Sequence, residues 1–212
     1  MLPALPIDEL EVLHADAALV VVVKPAGLLA VPGRGDEGAH HLAGRVQAAY
    51  PDARVVHRLD MATSGLMVFA RGAAAHRLLS AAFAERRVAK HYVAVVEGQL
   101  AGESGEIAAP LAADWPNRPR QVVDALHGKP SLTRWRVLAR AADATRLALE
   151  PLTGRTHQLR VHLQSVGHPI RGDALYAPPP LRAPRLLLHA ARLALTHPLQ
   201  GTALAFESPP PF

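Results

Sequence analysis

Cysteine is absent from all 212 residues, which excludes disulfides and thiolate metal sites. Aromatic residues make up only 4%, so the core has to be built mostly from Ala, Leu and Val. Long apolar runs are missing too. The run "ALVVVV" at 18–23 is strand-sized and far too short to span a bilayer. The opening "MLPALPIDEL" has no basic leader and is interrupted by Pro3 and Pro6, unlike a signal peptide. A soluble, cytoplasmic protein without a membrane partner is expected. Charged residues are 19%, too few and too mixed in sign for a disordered chain.

What is present narrows the reading. Half of the residues are hydrophobic, enough to bury a sizeable core. The length suits one domain, or one domain with a small appendage. Net charge is +5 with histidines neutral, which favours an anionic partner, RNA or DNA being the commonest. A coding bias toward Arg and Ala accounts for the same excess without any partner.

No repeat and no long linker interrupts the chain. "LEVLHADAALVVVVKPAGLLAVPG" reads as two short strands around a turn. "HHLAGRVQAAYP" predicts a short helix stopped by Pro51. "VVHRLDMATSGLMVFAR" predicts strand, loop, strand. "AAAHRLLSAAFAERR" predicts an amphipathic helix with Leu78, Leu79, Ala82 and Phe83 on its apolar side. "KHYVAVVEG" alternates like a strand, and "TRWRVLAR" with "TRLALEPL" predicts a hairpin. "GRTHQLRVHLQSVGHP" predicts a helix stopped by Gly167 and Pro169. "RLLLHAARLAL" and "TALAFESP" supply late strands, and the proline-rich 177–185 is a surface loop. Hairpins mixed with isolated helices define an α+β class around a mostly antiparallel sheet, flanked by helices and loops.

Three stretches carry candidate chemistry. In the first, His57, Arg58 and Asp60 stand at a strand end. Asp60 reads either as a turn cap over "MATSG" or as a nucleophile or base. In the second, "TGRTHQLRVHL", helical spacing aligns His157, Arg160 and Gln164. A helix starting near Thr153 or Thr156 would also offer free N–H groups to phosphate. Arg155 and His157, at its head, are candidate RNA contacts. The plain alternative is a solvated basic face. Yet Leu159, Val161 and Leu163 bracket Arg160, so its side chain is expected to turn inward and to require a carboxylate. Asp60 is the candidate partner.

The third stretch, "DWPNRPRQ" at 114–121, sets Trp115 beside Arg118 and Arg120. It reads as an RNA grip with phosphate contacts and base stacking, or as a surface loop around a buried tryptophan. Twelve histidines raise the question of zinc. His157 and His162, at i and i+5, do not share a helix face and lack the zincin glutamate. No metal is expected. Ser64 lacks the second glycine of a nucleophile elbow.

"HRLDMATSG", "KHYVAVVEG" and "GRTHQLRVHLQSVGHPIRGDALY" resemble, in this order, the motifs of the RluA family of pseudouridine synthases. "KPAGLLAVPG" and "RLLLHAARLALTHP" fit the flanking segments, so the likeness runs from about residue 16 to 207. Val23 and Ala26 stand where the family pattern has Asn and Ser. The resemblance implies one catalytic domain over 1–212 with its cleft along the sheet, without an N-terminal S4-like domain. It implies an isomerase that detaches uracil from ribose and rejoins it through a ring carbon, using no cofactor. It assigns catalysis to Asp60, Tyr92 and Arg160. It makes Arg58 the residue that fills the space of the extruded uridine and His57 its neighbour on the RNA. The "DWPNRPRQ" loop, the short length and the missing S4-like domain together resemble family members with a dual substrate, stem-loops of 23S ribosomal RNA and the anticodon stem-loop of transfer RNA; a monomer is expected. The rival reading is a non-catalytic RNA-binding or ribosome-assembly protein on the same fold.

Overall fold

The computed structural model describes residues 10–33 and 40–212. The opening segment with Pro3 and Pro6 lies outside the described residues. The chain packs as two compact units. One runs to Ala89 and takes in Ala190–Pro209; the other covers Lys90–His189 with Pro210–Phe212. Among the described residues no helix is long and apolar enough to cross a membrane.

In the first unit, β1 (Val12–Ala15) and β2 (Leu19–Lys24) form the expected hairpin. β2 pairs antiparallel with β4 (Ser64–Arg71), which also carries the short β3 (Ala53–Val55). Leu19 to Val22 are buried throughout, which is why this strand shows an unbroken apolar run rather than alternation. α1 (Leu42–Ala49) is capped by the His41 ring, which accepts from Gly44 N–H at 2.9 Å. α2 (Gly72–Ala84) lays Ala75, Leu79 and Ala82 on a core that includes Leu66, Val68, Ala70 and Leu193. Leu78 does not join them: it is 41% exposed. The buried stripe is centred on Ala75–Leu79–Ala82, and Leu78 falls at its rim.

Gly65 in β4 has φ 115°, and a Cβ there would collide with the backbone of Ala190. β11 (Leu188–Thr196) neighbours β4 and pairs antiparallel with β12 (Ala203–Glu207). Asp16 joins the β1–β2 turn to His197, in the turn near the end of the unit. Its carboxylate accepts from the backbone N–H groups of Ala18 (2.7 Å) and Leu19 (2.9 Å) and lies 2.7 Å from His14 Nε2 and 3.2 Å from His197 Nε2.

In the second unit, β5 (Ala89–Glu97), β10 (Ala144–Pro151), β9 (Leu132–Ala141) and β6 (Ser104–Ala108) pair antiparallel in that order. β7 (Leu111–Ala113) and β8 (Gln121–Val123) form a separate ribbon. α3 (Gln158–Ser165) buries every residue from Gln158 to Leu163, so it is a core helix and not a solvated basic face. The α+β, mostly antiparallel reading holds.

Candidate active site

The first unit contributes the loop between β3 and β4. Asp60 is half-buried there, Leu59 is buried, and Arg58 is exposed. Thr63 N–H donates to the Asp60 main-chain carbonyl at 3.1 Å, and Gly27 N–H donates to the Met61 carbonyl at 2.8 Å. A lysine that no sequence pattern singled out fastens this loop. Lys24 is 0% exposed, and its Nζ donates to the carbonyls of Pro25 (2.7 Å), Leu28 (2.7 Å) and Met61 (2.9 Å). One of those acceptors is the residue next to Asp60. Burial pushes the Lys24 ammonium down to about 7, against the opposing pull of the Asp60 charge. His57 turns toward its own unit: its Nε2 accepts from Val68 N–H at 3.0 Å, and its ring stacks on Phe83 at 4.4 Å. The ring thereby packs the stem of the loop.

The second unit carries Tyr92 and Arg160. Tyr92 lies half-buried in β5 opposite Leu149 of β10. Arg160 is buried, as its apolar neighbours predicted. The carboxylate that answers it within the unit is Asp173, with Nε 2.8 Å from Oδ2 and Nη2 2.7 Å from Oδ1. This is the bidentate fork that favours arginine over lysine. Asp173 is 0% exposed and its Oδ1 also accepts from the N–H groups of Leu175 and Tyr176. Burial of Arg160 thus no longer requires Asp60 as its counter-ion.

α3 begins at Gln158, later than the sequence pattern implied, because His157 adopts a left-handed backbone at φ 53°. The Gln158 side chain occupies the helix head. Its Oε1 accepts from Thr153 Oγ1 (2.7 Å) and Arg155 N–H (3.0 Å), and its Nε2 donates to Leu132 O and Thr133 Oγ1, both at 3.0 Å. The expected open row of N–H groups near Thr153 is therefore in part already committed. His162 is a core histidine, held by Ala109 O, Ser131 Oγ and Thr133 Oγ1.

The β7–β8 ribbon presents the Asp114–Arg120 loop. Asp114 N–H donates to Arg120 O at 3.0 Å, and Asn117 Nδ2 bonds the Asp114 carboxylate. Trp115 is 67% exposed, which overturns the buried-tryptophan alternative. The Arg118 guanidinium lies 3.6 Å from its ring centroid, an outward-facing plane with a cation on it. Arg120 turns its guanidinium over the Tyr176 ring at 5.3 Å. Arg155 is exposed, with Nε 3.3 Å from Pro130 O.

Residues 18–165 match the family model described as RNA pseudouridylate synthase. The chain belongs to that family and is an isomerase that forms pseudouridine in RNA. It is 50% identical over 206 residues, 96% of this chain and 94% of the relative, to the dual-specificity RNA pseudouridine synthase RluA of Escherichia coli strain K12. It is 48% identical over the same shares to the enzyme of that name from Pasteurella multocida. Among solved structures, human RNA pseudouridylate synthase domain containing 1 superposes with a TM-score of 0.82 at 30% identity, covering 100% of this chain and 87% of that one.

Proposed function

We propose that the chain acts on two classes of RNA, 23S ribosomal RNA and the anticodon stem-loop of transfer RNA, as one catalytic domain over residues 1–212 and as a cytoplasmic monomer. Support comes from the half-identity, over nearly the whole chain, to relatives whose printed name is dual-specificity.

Asp60 is proposed as the reacting carboxylate, and the Lys24 clamp on the adjacent Met61 carbonyl is the observation that carries this role. A carboxylate used for chemistry has to be held at a fixed place, and the clamp fixes the chain beside it. The bond between ribose C1′ and uracil N1 breaks and a bond from C1′ to ring C5 forms. The proton on C5 leaves, and N1 gains one. Asp60 opens the sequence by attacking the sugar or removing a sugar proton. Tyr92 serves the base as proton acceptor or as a packed ring. Arg160 supplies positive charge to the anionic steps. No cofactor takes part. The uridine has to leave its stack first, and Arg58 fills the space it vacates. Trp115, Arg118, Arg120, Arg155 and His157 grip the RNA, while His57, expected on the RNA, packs the stem of the loop that carries Arg58.

Pseudouridine mapping across total RNA, with and without this protein, tests the substrate assignment. Sites lost in both 23S ribosomal and transfer RNA are expected. Loss confined to one class overturns the dual assignment.

A further inference from the structure

The Tyr176 side chain has no part in the roles set out above, yet it touches both parts of the second unit that do. Its ring lies under two guanidiniums, Arg120 of the ribbon loop at 5.3 Å and Arg160 of α3 at 5.0 Å. Its hydroxyl meets two more groups. Gln121 N–H, at the start of β8, donates to it at 2.8 Å, and His157 Nδ1 lies 2.8 Å away. A backbone N–H can only donate, so the phenol oxygen accepts there. Burial raises the phenol above its usual range, so it keeps its proton. Among the described residues the acceptor for that proton is His157 Nδ1. In that arrangement a neutral His157 ring has its hydrogen on Nε2.

His157 is also the residue whose backbone is left-handed, immediately before α3 starts. A non-glycine residue in that region costs energy and persists only when its surroundings hold it. The phenol is one such hold. Its backbone is fixed in turn: Tyr176 N–H bonds Asp173 Oδ1, the oxygen that receives Arg160 Nη2. One side chain thus joins the ribbon, the strained head of α3 and the Arg160–Asp173 fork.

We propose that the Tyr176 hydroxyl is a positioning group that couples the RNA-gripping ribbon to the head of α3. RNA engaged at Trp115 and Arg118 sets the position of Gln121, and through the hydroxyl the position of His157 and Arg160. The ribbon then contributes to the rate of isomerisation as well as to affinity. This inference rests on the reading that the Trp115 loop grips RNA and that Arg160 serves the reaction.

The test compares Trp115→Ala, Tyr176→Phe and the double variant on an anticodon stem-loop that the wild type modifies, tritiated at uracil C5. Equilibrium binding gives Kd, and single-turnover release at saturating RNA gives the rate. Tyr176→Phe keeps the ring under both guanidiniums and removes only the hydroxyl. It is expected to slow the saturated rate about tenfold, with Kd within about twofold of wild type. Trp115→Ala is expected to weaken Kd about tenfold, the scale of one lost base stack, and to slow the saturated rate as well. The double variant is expected to turn over at the rate of Tyr176→Phe alone, since interacting residues fail to add. Rate effects that multiply, or a Tyr176→Phe rate within about twofold of wild type, overturn the coupling while leaving the grip standing. An unchanged Kd for Trp115→Ala overturns the grip, and the coupling with it. Ring-nitrogen NMR of the wild-type protein supplies a readout independent of the variant's folding. His157 is expected as the Nε2–H tautomer, with ring signals that shift when RNA is added. An Nδ1–H tautomer, or signals blind to RNA, overturns the proposal.

Discussion

Lys24 in the first unit and Arg160 in the second are both withdrawn from water, yet they are satisfied in different ways. Arg160 meets a carboxylate, Asp173, whose two oxygens match its planar fork. Lys24 meets three backbone carbonyls, from Pro25, Leu28 and Met61. The first arrangement neutralises a charge and locks one side chain to one turn. The second gathers separate pieces of backbone around a single nitrogen, which suits a compact ammonium with three rotatable donors. An ion pair fixes the charged group itself. A carbonyl clamp fixes a neighbour, here the loop that presents Asp60.

The largest effect expected from this contrast follows the removal of Arg160. Arg160→Met strands a fully buried carboxylate at Asp173, and the loss of one partner from such a pair costs about 3–5 kcal/mol. Denaturant unfolding measures it. A loss comparable to that of an exposed arginine would mean that the fork contributes no stability.

Lys24→Met comes next. It takes the Nζ donor from the Pro25 and Leu28 carbonyls, while the Met61 carbonyl keeps Gly27 N–H, and a buried unsatisfied polar group costs about 1–3 kcal/mol. Because the clamp holds the Asp60 loop, turnover is expected to fall further than stability, which single-turnover rates and unfolding curves on the same preparation will show. Stability lost with turnover intact would reduce Lys24 to a packing role.

How much of this was legible in the sequence differs between the two cations. The apolar frame of Leu159, Val161 and Leu163 announced that Arg160 turns inward. Its partner within the unit was hidden, because a carboxylate in the irregular turn after α3 has no periodic signal. Lys24, at the end of a valine run, carries no sequence sign of burial, since lysine is rarely buried without a charged partner. Backbone carbonyls have no side-chain signature, so nothing in the sequence announced the clamp. The same limit hid β6, β7 and β8. They are short strands among Gly and Pro; β6 pairs with the distant β9, and β7 and β8 pair with each other across a proline-broken loop. The longer elements were readable because burial marks the side chains, β2 and β4 as unbroken apolar runs and α2 and β10 as periodic patterns.

A carboxylate extends the comparison to pH. Burial resists ionisation of Asp16, but the hydrogen bonds from His14, Ala18 and Leu19 outweigh it and hold the group below its ordinary 3.8. With the folded value depressed, the unfolded chain binds more protons as pH falls. The stabilisation is therefore complete above 3.8 and drains away at lower pH. Asp16→Asn is expected to remove this acid-dependent part of the unfolding free energy. An unchanged acid limb in the variant would contradict the assignment.

The smallest stability effect belongs to the exposed cation that serves as baseline. Arg118→Met is expected to change stability by less than about 0.5 kcal/mol. If Arg118 touches phosphate, the salt slope of RNA binding should fall by about one. A slope equal to that of the wild type would remove Arg118 from the grip.

The most direct measurement concerns Asp60 itself. Asp60→Asn keeps the size and shape of the side chain and leaves the Lys24 clamp on Met61 in place, but it supplies no carboxylate. With RNA tritiated at uracil C5, the variant is expected to bind with Kd within about twofold of wild type and to unfold at a similar temperature, while releasing no tritium. Release at the wild-type rate would contradict the assignment of Asp60 as the reacting group.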